Sequence, residues 1–322
     1  MIEKDIYMAA GCFWGAEHYL NRVDGVTMTE VGYANGNTES PTYEEVYTDT
    51  TGHAETVHVR YDAQRVSLKH LIGLYFEAID PTSLNEQGND VGTRYRTGIY
   101  YTDPADKAMI DHCVAQEAKK YAIPIRVEVM PLKCFYRAED YHQNYLVKNP
   151  DGYCHIPPAL FVHAASTGDK ETPKKNQQYA TVLNQVKGML DGEKDTIARM
   201  ANTAALLHQT FGFWWTGFYR VDNGELLVGP FQGPVACMHI AYGRGVCGTA
   251  WQEQRTLTVP DVHSFPGHIA CSSESLSEIV VPVRHNGEIL AVLDIDSKVY
   301  ATFDDCDRYW LEQIADLVIS EK

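Results

Sequence analysis

Two groups of residues in this 322-residue chain could do chemistry through sulfur. The first centres on Cys12, in the run Gly11-Cys12-Phe13-Trp14-Gly15, where a strand-like segment gives way to a helical one. A helix N-terminus carries free N–H groups and partial positive charge, and both favour thiolate over thiol. The position therefore predicts a lowered cysteine pKa. Taken alone, a cysteine in such a turn is more often a small buried residue. The second group holds Cys237, Cys247 and Cys271 with His239 and His268. Structural zinc favours short ligand pairs such as Cys-x₂-Cys. No such pair exists here, so no metal is expected. Glu278, Asp294 and Asp296 lie on or beside predicted strands, and Asp294-Ile295-Asp296 points two carboxylates to one face. Like charges so close raise each other's pKa or neutralise a bound cation. The plainer alternative is a solvated edge.

The elements that must position these groups follow from pattern. Asp5–Ala10 reads as a strand, Trp14–Arg22 as a helix, and His53–Tyr61 alternates as a strand does. Leu68–Ile79 has helical spacing and stops at Asp80-Pro81, and Ile125–Met130 is a further strand. In the second half, Gln178–Leu190 and Thr196–Gln209 read as helices. Trp214–Val221, Glu225–Val228, Ile279–Arg284 and Glu288–Asp294 read as strands, and Asp304–Ser320 as a closing helix. His285-Asn286-Gly287 has the chemistry of a hairpin turn. Between Pro157 and Gln178 turn formers and charges replace apolar periodicity. The expected organisation is a first domain over 1–165, a linker over 166–177 and a second domain over 178–322. Helices, an antiparallel sheet and a closing helix make the second domain α+β.

Composition narrows the function. With 44% hydrophobic and 22% charged residues the chain can build true cores. The net charge is −16 and both halves are acidic, which argues against nucleic acid and against an anionic membrane surface. No run approaches the ~20 apolar residues of a membrane span. The acidic start Met1-Ile2-Glu3-Lys4-Asp5 is not that of a signal peptide, so a cytoplasmic location is expected. Eight cysteines in such a compartment suggest reactive thiols rather than a disulfide scaffold.

The motifs of the first half resemble the peptide methionine sulfoxide reductases of the A class. They are Gly11-Cys12-Phe13-Trp14-Gly15, Gly52-His53-Ala54-Glu55, Asp90-Val91-Gly92-Thr93-Arg94-Tyr95-Arg96, Ala138 through Leu146, and Asn149 through Cys154. The match runs over about residues 5 to 157 and implies an α/β-plait fold of the A type. It also implies roles. Cys12 attacks the sulfoxide sulfur and becomes a sulfenic acid. Glu55, kept protonated by its surroundings, supplies a proton to the departing oxygen. Tyr43 and Tyr95 hydrogen-bond that oxygen, and Phe13 and Trp14 hold the methyl group and select the S epimer. Asp90 is a polar residue of the pocket. Cys154 is the recycling thiol and resolves Cys12 to a disulfide. No second recycling cysteine follows it, and Cys113 and Cys134 are expected to be structural. His53 and His142 receive no chemical role.

Residues 178–322 resemble the free methionine-(R)-sulfoxide reductases, which are built on the GAF fold. The resemblance rests on Trp215 through Tyr219, Gly229 through Gly233, the three cysteines in their local runs, Ser277 through Pro282, and Leu293 through Ser297. It implies Cys271 as nucleophile, Cys237 as resolving partner and Cys247 as a lesser thiol. Glu278, Asp294 and Asp296 then surround the sulfoxide and ammonium of a free amino acid, while Trp215 and Tyr219 wall its methyl end. Cys306 is expected to be structural. Together the resemblances imply a tandem enzyme acting on methionine sulfoxide, free and in oxidised proteins. They imply no bound cofactor, with electrons arriving from NADPH through thioredoxin reductase and thioredoxin, or from glutaredoxin. GAF domains often pair, which makes a homodimer through the second domain an expectation. Two alternatives stay open for that domain: a regulatory amino-acid or redox sensor controlling the first domain, and a thiol peroxidase.

Overall fold

The structure is a computed structural model and describes residues 1–268 and 273–319. The chain folds as two compact units, Met1–Pro173 and Lys174–Lys322. In the first, six strands form one sheet in the order Glu128–Pro131, Thr97–Tyr101, Glu3–Ala10, Ala54–Asp62, Val26–Ala34, Phe135–Arg137. All neighbours are antiparallel except Thr97–Tyr101 with Glu128–Pro131. The helices Phe13–Leu20, Leu68–Ala78 and Pro158–Ser166 contribute to its main apolar core, which joins Ile6, Met8, Val57 and Val59 to Leu71, Ile72 and Tyr75. Three elements here have no clear sequence signal. All five residues of Thr97–Tyr101 are buried and so lack the alternation of a half-exposed strand. Val26–Ala34 is partly exposed over its first five residues and buried throughout its last four, so no single pattern runs along it. Asp106–Ala118 has no apolar stripe to mark it as a helix.

The second unit carries a six-stranded antiparallel sheet ordered His239–Ala241, Glu225–Gln232, Trp215–Asp222, Glu288–Ser297, Ser277–His285, Leu257–Val259. The hairpin at Asn286-Gly287 is present, with φ of 51° and 84° at the two residues. Period-two alternation divides the two central strands between faces. Ile279, Val281, Val283, Leu293 and Ile295 pack in a core with residues of the helices Glu171–Leu190, Thr196–Phe211 and Asp305–Val318. Val280 and Val292 face the other way, into a smaller core with residues of the helix Gly245–Glu253.

The segment expected as a linker differs from its reading. Helix Pro158–Ser166 covers its approach, and the next helix starts at Glu171 rather than Gln178. The Asp169 carboxylate accepts the Glu171 and Thr172 backbone N–H groups at 3.1 and 3.0 Å and so caps that start. Pro173 falls in the first turn, where its missing N–H costs nothing.

Candidate active sites

Cys12 sits at the N-cap of the helix Phe13–Leu20, in extended conformation, and is buried. Gly11 just before it has φ of +80°, and a Cβ there would meet Gln87 at 2.7 Å, so the turn demands glycine. Glu55 reaches the same point from the neighbouring strand: its Oε2 accepts the Phe13 backbone N–H at 3.0 Å. Glu55 is 1% exposed, and burial pushes its carboxyl up to about 8, against the opposing pull of that N–H. It is therefore protonated at neutral pH.

The lowered Cys12 pKa expected from the helix N-terminus is not what the structure gives. Burial, then the charge of Glu55, pushes the thiol well up, and the hydrogen bond from the Trp14 backbone only partly offsets this. Desolvation outweighs the helix terminus because the thiol is inside the fold rather than at its surface. Burial and then the Glu55 charge also push up the phenols of Tyr43 and Tyr95, which keeps both as hydrogen-bond donors. Asp90 is raised by burial and is held by the Tyr153 hydroxyl, which donates to it at 3.2 Å.

Cys154 lies against the helix that Cys12 opens. A Cβ at Gly15 would lie 2.7 Å from its Sγ, so Gly15 leaves the space that the thiol fills. The Ile156 N–H donates to that sulfur at 3.3 Å, and burial raises its pKa. Phe13 is buried among Tyr33 and His142, while Trp14 stacks on Tyr145 at 3.8 Å between ring centroids. Glu55, Asp90 and Cys154 lie near enough to Cys12 to raise its thiol, and Cys12 in turn raises Tyr43 and Tyr95. Cys113 packs against the core, and the Cys134 thiol faces the Gly36 carbonyl at 3.8 Å.

Several contributors lacked any signal of their own. His142 Nδ1 accepts the Trp14 indole N–H at 3.0 Å. Glu139 accepts the Tyr33 hydroxyl at 2.7 Å and the Tyr43 backbone N–H at 2.9 Å, which fixes the short helix Tyr43–Tyr47 beside the site. Glu17 is buried, accepts the Asn144 backbone N–H at 2.6 Å, and is pushed up to about 7 by burial. The Ala138–Leu146 run was legible as a motif, but nothing in it says that His142 meets Trp14.

In the second unit a pocket is lined by Trp214, Trp215, Tyr219, Cys247, Glu278, Asp294 and Asp296, together with Ser275 and His268. Strand pairing explains the three acids. Asp296 lies opposite both Glu278 and Trp215, and Asp294 opposite Gly217. All three carboxyls share the face that Ile295 turns away from. The solvated-edge alternative is excluded, since Glu278 and Asp294 are each 6% exposed. Burial raises all three carboxyls, and for Glu278 and Asp296 the charge of Asp294 adds to it. Asp294 is pushed up to about 6. Among the described residues none of the three forms an ion pair with Lys, Arg or His.

The Cys247 thiol, 3.9 Å from Glu278 Oε1, is pushed well up by burial and then by Asp294. Trp215 stacks on Phe231 and Tyr219 and donates its indole N–H to the Pro234 carbonyl at 3.1 Å. A side chain at Gly217 would collide with Trp215 and Phe231 at 2.5 and 2.3 Å. Cys237 is disulfide-bonded, whereas Cys247 and Cys306 are not, and Cys306 is fully buried. Cys271 lies outside the described residues.

The first unit, with a buried thiol, a protonated carboxyl and a second thiol against one helix, defines a thiol-dependent oxidoreductase. The family model for peptide methionine sulfoxide reductase matches residues 4–176, and this chain belongs to that family. It is a methionine sulfoxide reductase. The GAF domain model matches residues 195–321. The peptide methionine sulfoxide reductase MsrA of Clostridium acetobutylicum is 56% identical over 157 residues, which is 49% of this chain and 97% of that protein. The MsrA of Lachnoclostridium phytofermentans is 56% identical over 160 residues, 50% of this chain and 96% of that protein. The free methionine-R-sulfoxide reductase of Neisseria meningitidis, solved with its substrate, is 48% identical. That match covers 45% of this chain and 87% of that one, with a TM-score of 0.44. Among the described residues no helix is long and apolar enough to cross a membrane.

Proposed function

We propose that the two units are complementary reductases. The first reduces the S-sulfoxide of methionine, peptide-bound and free, and the second reduces the R-sulfoxide of the free amino acid. The observation that carries the second half is a pocket whose three carboxyls, Glu278 and Asp294 buried and Asp296 half-buried, have no basic partner among the described residues. A free amino acid brings an ammonium that a peptide-bound methionine lacks, and a site that spends buried carboxylates on it rejects substrates unable to pair with them.

In the first unit the Cys12 sulfur attacks the sulfoxide sulfur while Glu55 protonates the oxygen. The thiol proton returns to Glu55. The protonated oxygen passes from the substrate sulfur to the Cys12 sulfur as the substrate S–O bond breaks, so the substrate leaves as thioether and Cys12 is left as sulfenic acid. The Cys154 thiol then displaces the hydroxyl, giving a Cys12–Cys154 disulfide and water. A dithiol such as that of thioredoxin, itself reduced at the expense of NADPH, or of glutaredoxin, reopens it. Tyr43 and Tyr95 donate to the sulfoxide oxygen, Phe13 and Trp14 hold the methyl group, and Asp90 shapes the polar side. In the second unit Cys271 attacks and Cys237 resolves, with Cys247 a lesser thiol. Glu278, Asp294 and Asp296 hold the ammonium and sulfoxide, and Trp215 and Tyr219 wall the methyl end. The disulfide at Cys237 supports a redox role there. We place the enzyme in a reducing, cytoplasmic setting, paired through its GAF unit.

The test is separate turnover of the free S- and R-sulfoxides with thioredoxin, thioredoxin reductase and NADPH, for wild type, Cys12→Ser and Cys271→Ser. Loss of only the S reaction in the first variant and only the R reaction in the second is expected. If wild type never consumes the R epimer, the second unit is not a reductase.

A further inference from the structure

We propose that the second unit holds a binding site for a borderline-soft divalent cation of the zinc class, formed by Cys247, Glu278 and Asp294. The ligand atoms of these three residues all lie within 4.8 Å of one another, and all three side chains are buried. They come from three elements, the helix Gly245–Glu253 and the strands Ser277–His285 and Glu288–Ser297, so their spacing is set by the fold rather than by a loop. Around tetrahedral zinc, with Zn–S of about 2.3 Å and Zn–O of about 2.0–2.2 Å, ligand atoms stand roughly 3.3–3.8 Å apart. The 3.9 Å between Cys247 Sγ and Glu278 Oε1 is within a small side-chain adjustment of that.

A second observation points to a ligand. Asp294 Oδ1 is buried in the pocket wall with no hydrogen-bond partner. An orphaned carboxylate oxygen at 6% exposure is costly, and a cation would satisfy it. The donor set decides which cation. Calcium and magnesium take six or more oxygen ligands, or keep most of their water. One thiolate with two carboxylates suits zinc or cadmium instead. Three protein ligands leave a fourth position open toward the pocket, as in open zinc sites.

On binding, the Cys247 thiol proton and the proton of the Glu278 carboxyl, held there by burial, pass to solvent, so the bound site is a thiolate and two carboxylates around a dication. No electron moves. This differs from a structural zinc site built on Cys237, Cys247 and Cys271, which the sequence spacing disfavours. Because Glu278 and Asp294 also line the space where a substrate ammonium would sit, cation and amino acid should exclude each other. That consequence rests on the proposed reductase reading, whereas the cation site itself does not.

The test is a titration of the full chain with cadmium under phosphine reductant, following the thiolate-to-cadmium charge-transfer absorbance, with no sulfoxide present. Wild type should take up one more tightly held equivalent than Cys247→Ser. Asp294→Asn should weaken that equivalent by about tenfold or more. Zinc should raise the melting temperature of the second unit in wild type and by less in either variant. Calcium or magnesium in excess should leave the absorbance unchanged. Equal stoichiometry and affinity in wild type, Cys247→Ser and Asp294→Asn would overturn the site. If Cys247→Ser does not fold, as judged by circular dichroism without metal, Cys247→Ala takes its place and Asp294→Asn decides independently.

Discussion

The pockets around Cys12 and Cys247 differ chiefly in how many carboxyls accompany the thiol. At Cys12 a single buried acid, Glu55, is held by one backbone N–H and flanked by two tyrosine donors. At Cys247 two buried acids, Glu278 and Asp294, crowd together with the half-buried Asp296 and have no basic partner among the described residues. One isolated neutral carboxyl is suited to giving a proton away. A cluster of three acids, in which the charge of Asp294 adds to the burial of the other two, is suited to receiving positive charge. The contrast teaches that burial alone does not define a carboxyl's task; the company it keeps decides whether it acts as an acid or as a counter-charge.

That contrast can be broken in four ways. The largest effect should come from Glu55→Gln, which removes the proton donor while keeping shape. Single-turnover reduction of the S-sulfoxide should slow by about 10²–10⁴-fold, as for other general acids, with R-sulfoxide turnover unchanged. A drop of less than tenfold would mean that the tyrosines protonate the oxygen. Next, Asp294→Asn should weaken the free amino acid rather than the chemistry. Loss of a charge-assisted bond of about 1.5–3 kcal/mol would raise KM for the R-sulfoxide roughly 10- to 150-fold, with a smaller change in kcat. An equal fall in kcat with KM unmoved would make Asp294 an acid like Glu55.

The third prediction uses pH. Glu55 titrates at about 8 in the fold against an ordinary 4.5, so its acid form is present below that and is lost as pH rises through about 8. The S-sulfoxide rate should therefore fall above about pH 8, and the Glu55→Gln variant should lack that limb. The same raised pKa gives a stability contribution that is full below about 4.5 and declines as pH rises through 8. Thermal melts of the variant relative to wild type should accordingly gain stability from pH 5 to pH 9. The smallest effect belongs to His142→Phe, which takes away the acceptor of the Trp14 indole. It should cost about 0.5–1.5 kcal/mol, a rise of roughly two- to twelvefold in KM for the S-sulfoxide with kcat kept. No counterpart is expected at Trp215, whose indole is held by the Pro234 carbonyl instead.

Strong periodicity made much of the fold legible. Leu68–Ala78, Thr196–Phe211 and the hairpin of Ser277–His285 with Glu288–Ser297 follow their sequence patterns closely. Thr97–Tyr101 escaped because burial on both faces erases alternation, and the start at Glu171 escaped because the cap, Asp169, sits in a charged run. The site was legible as a set of residue types in register with known motifs, down to Asp294 and Asp296 sharing a strand face. The protonation of Cys12 was not, because a helix-terminus argument has no knowledge of how deep the thiol lies.

What the sequence determined by itself was chemical identity and local geometry: which thiols and carboxyls exist, and the glycine that lets the chain turn before Cys12. It also determined the two-residue spacing that aims two aspartates the same way. The tertiary structure alone decided that Trp14 meets His142, that Cys154 fills the space left by Gly15, and that Glu55 keeps its proton. Proximity and desolvation come from residues far apart in the chain, and both the reach of a thiol and the pKa of an acid are set by those neighbours rather than by adjacent residues.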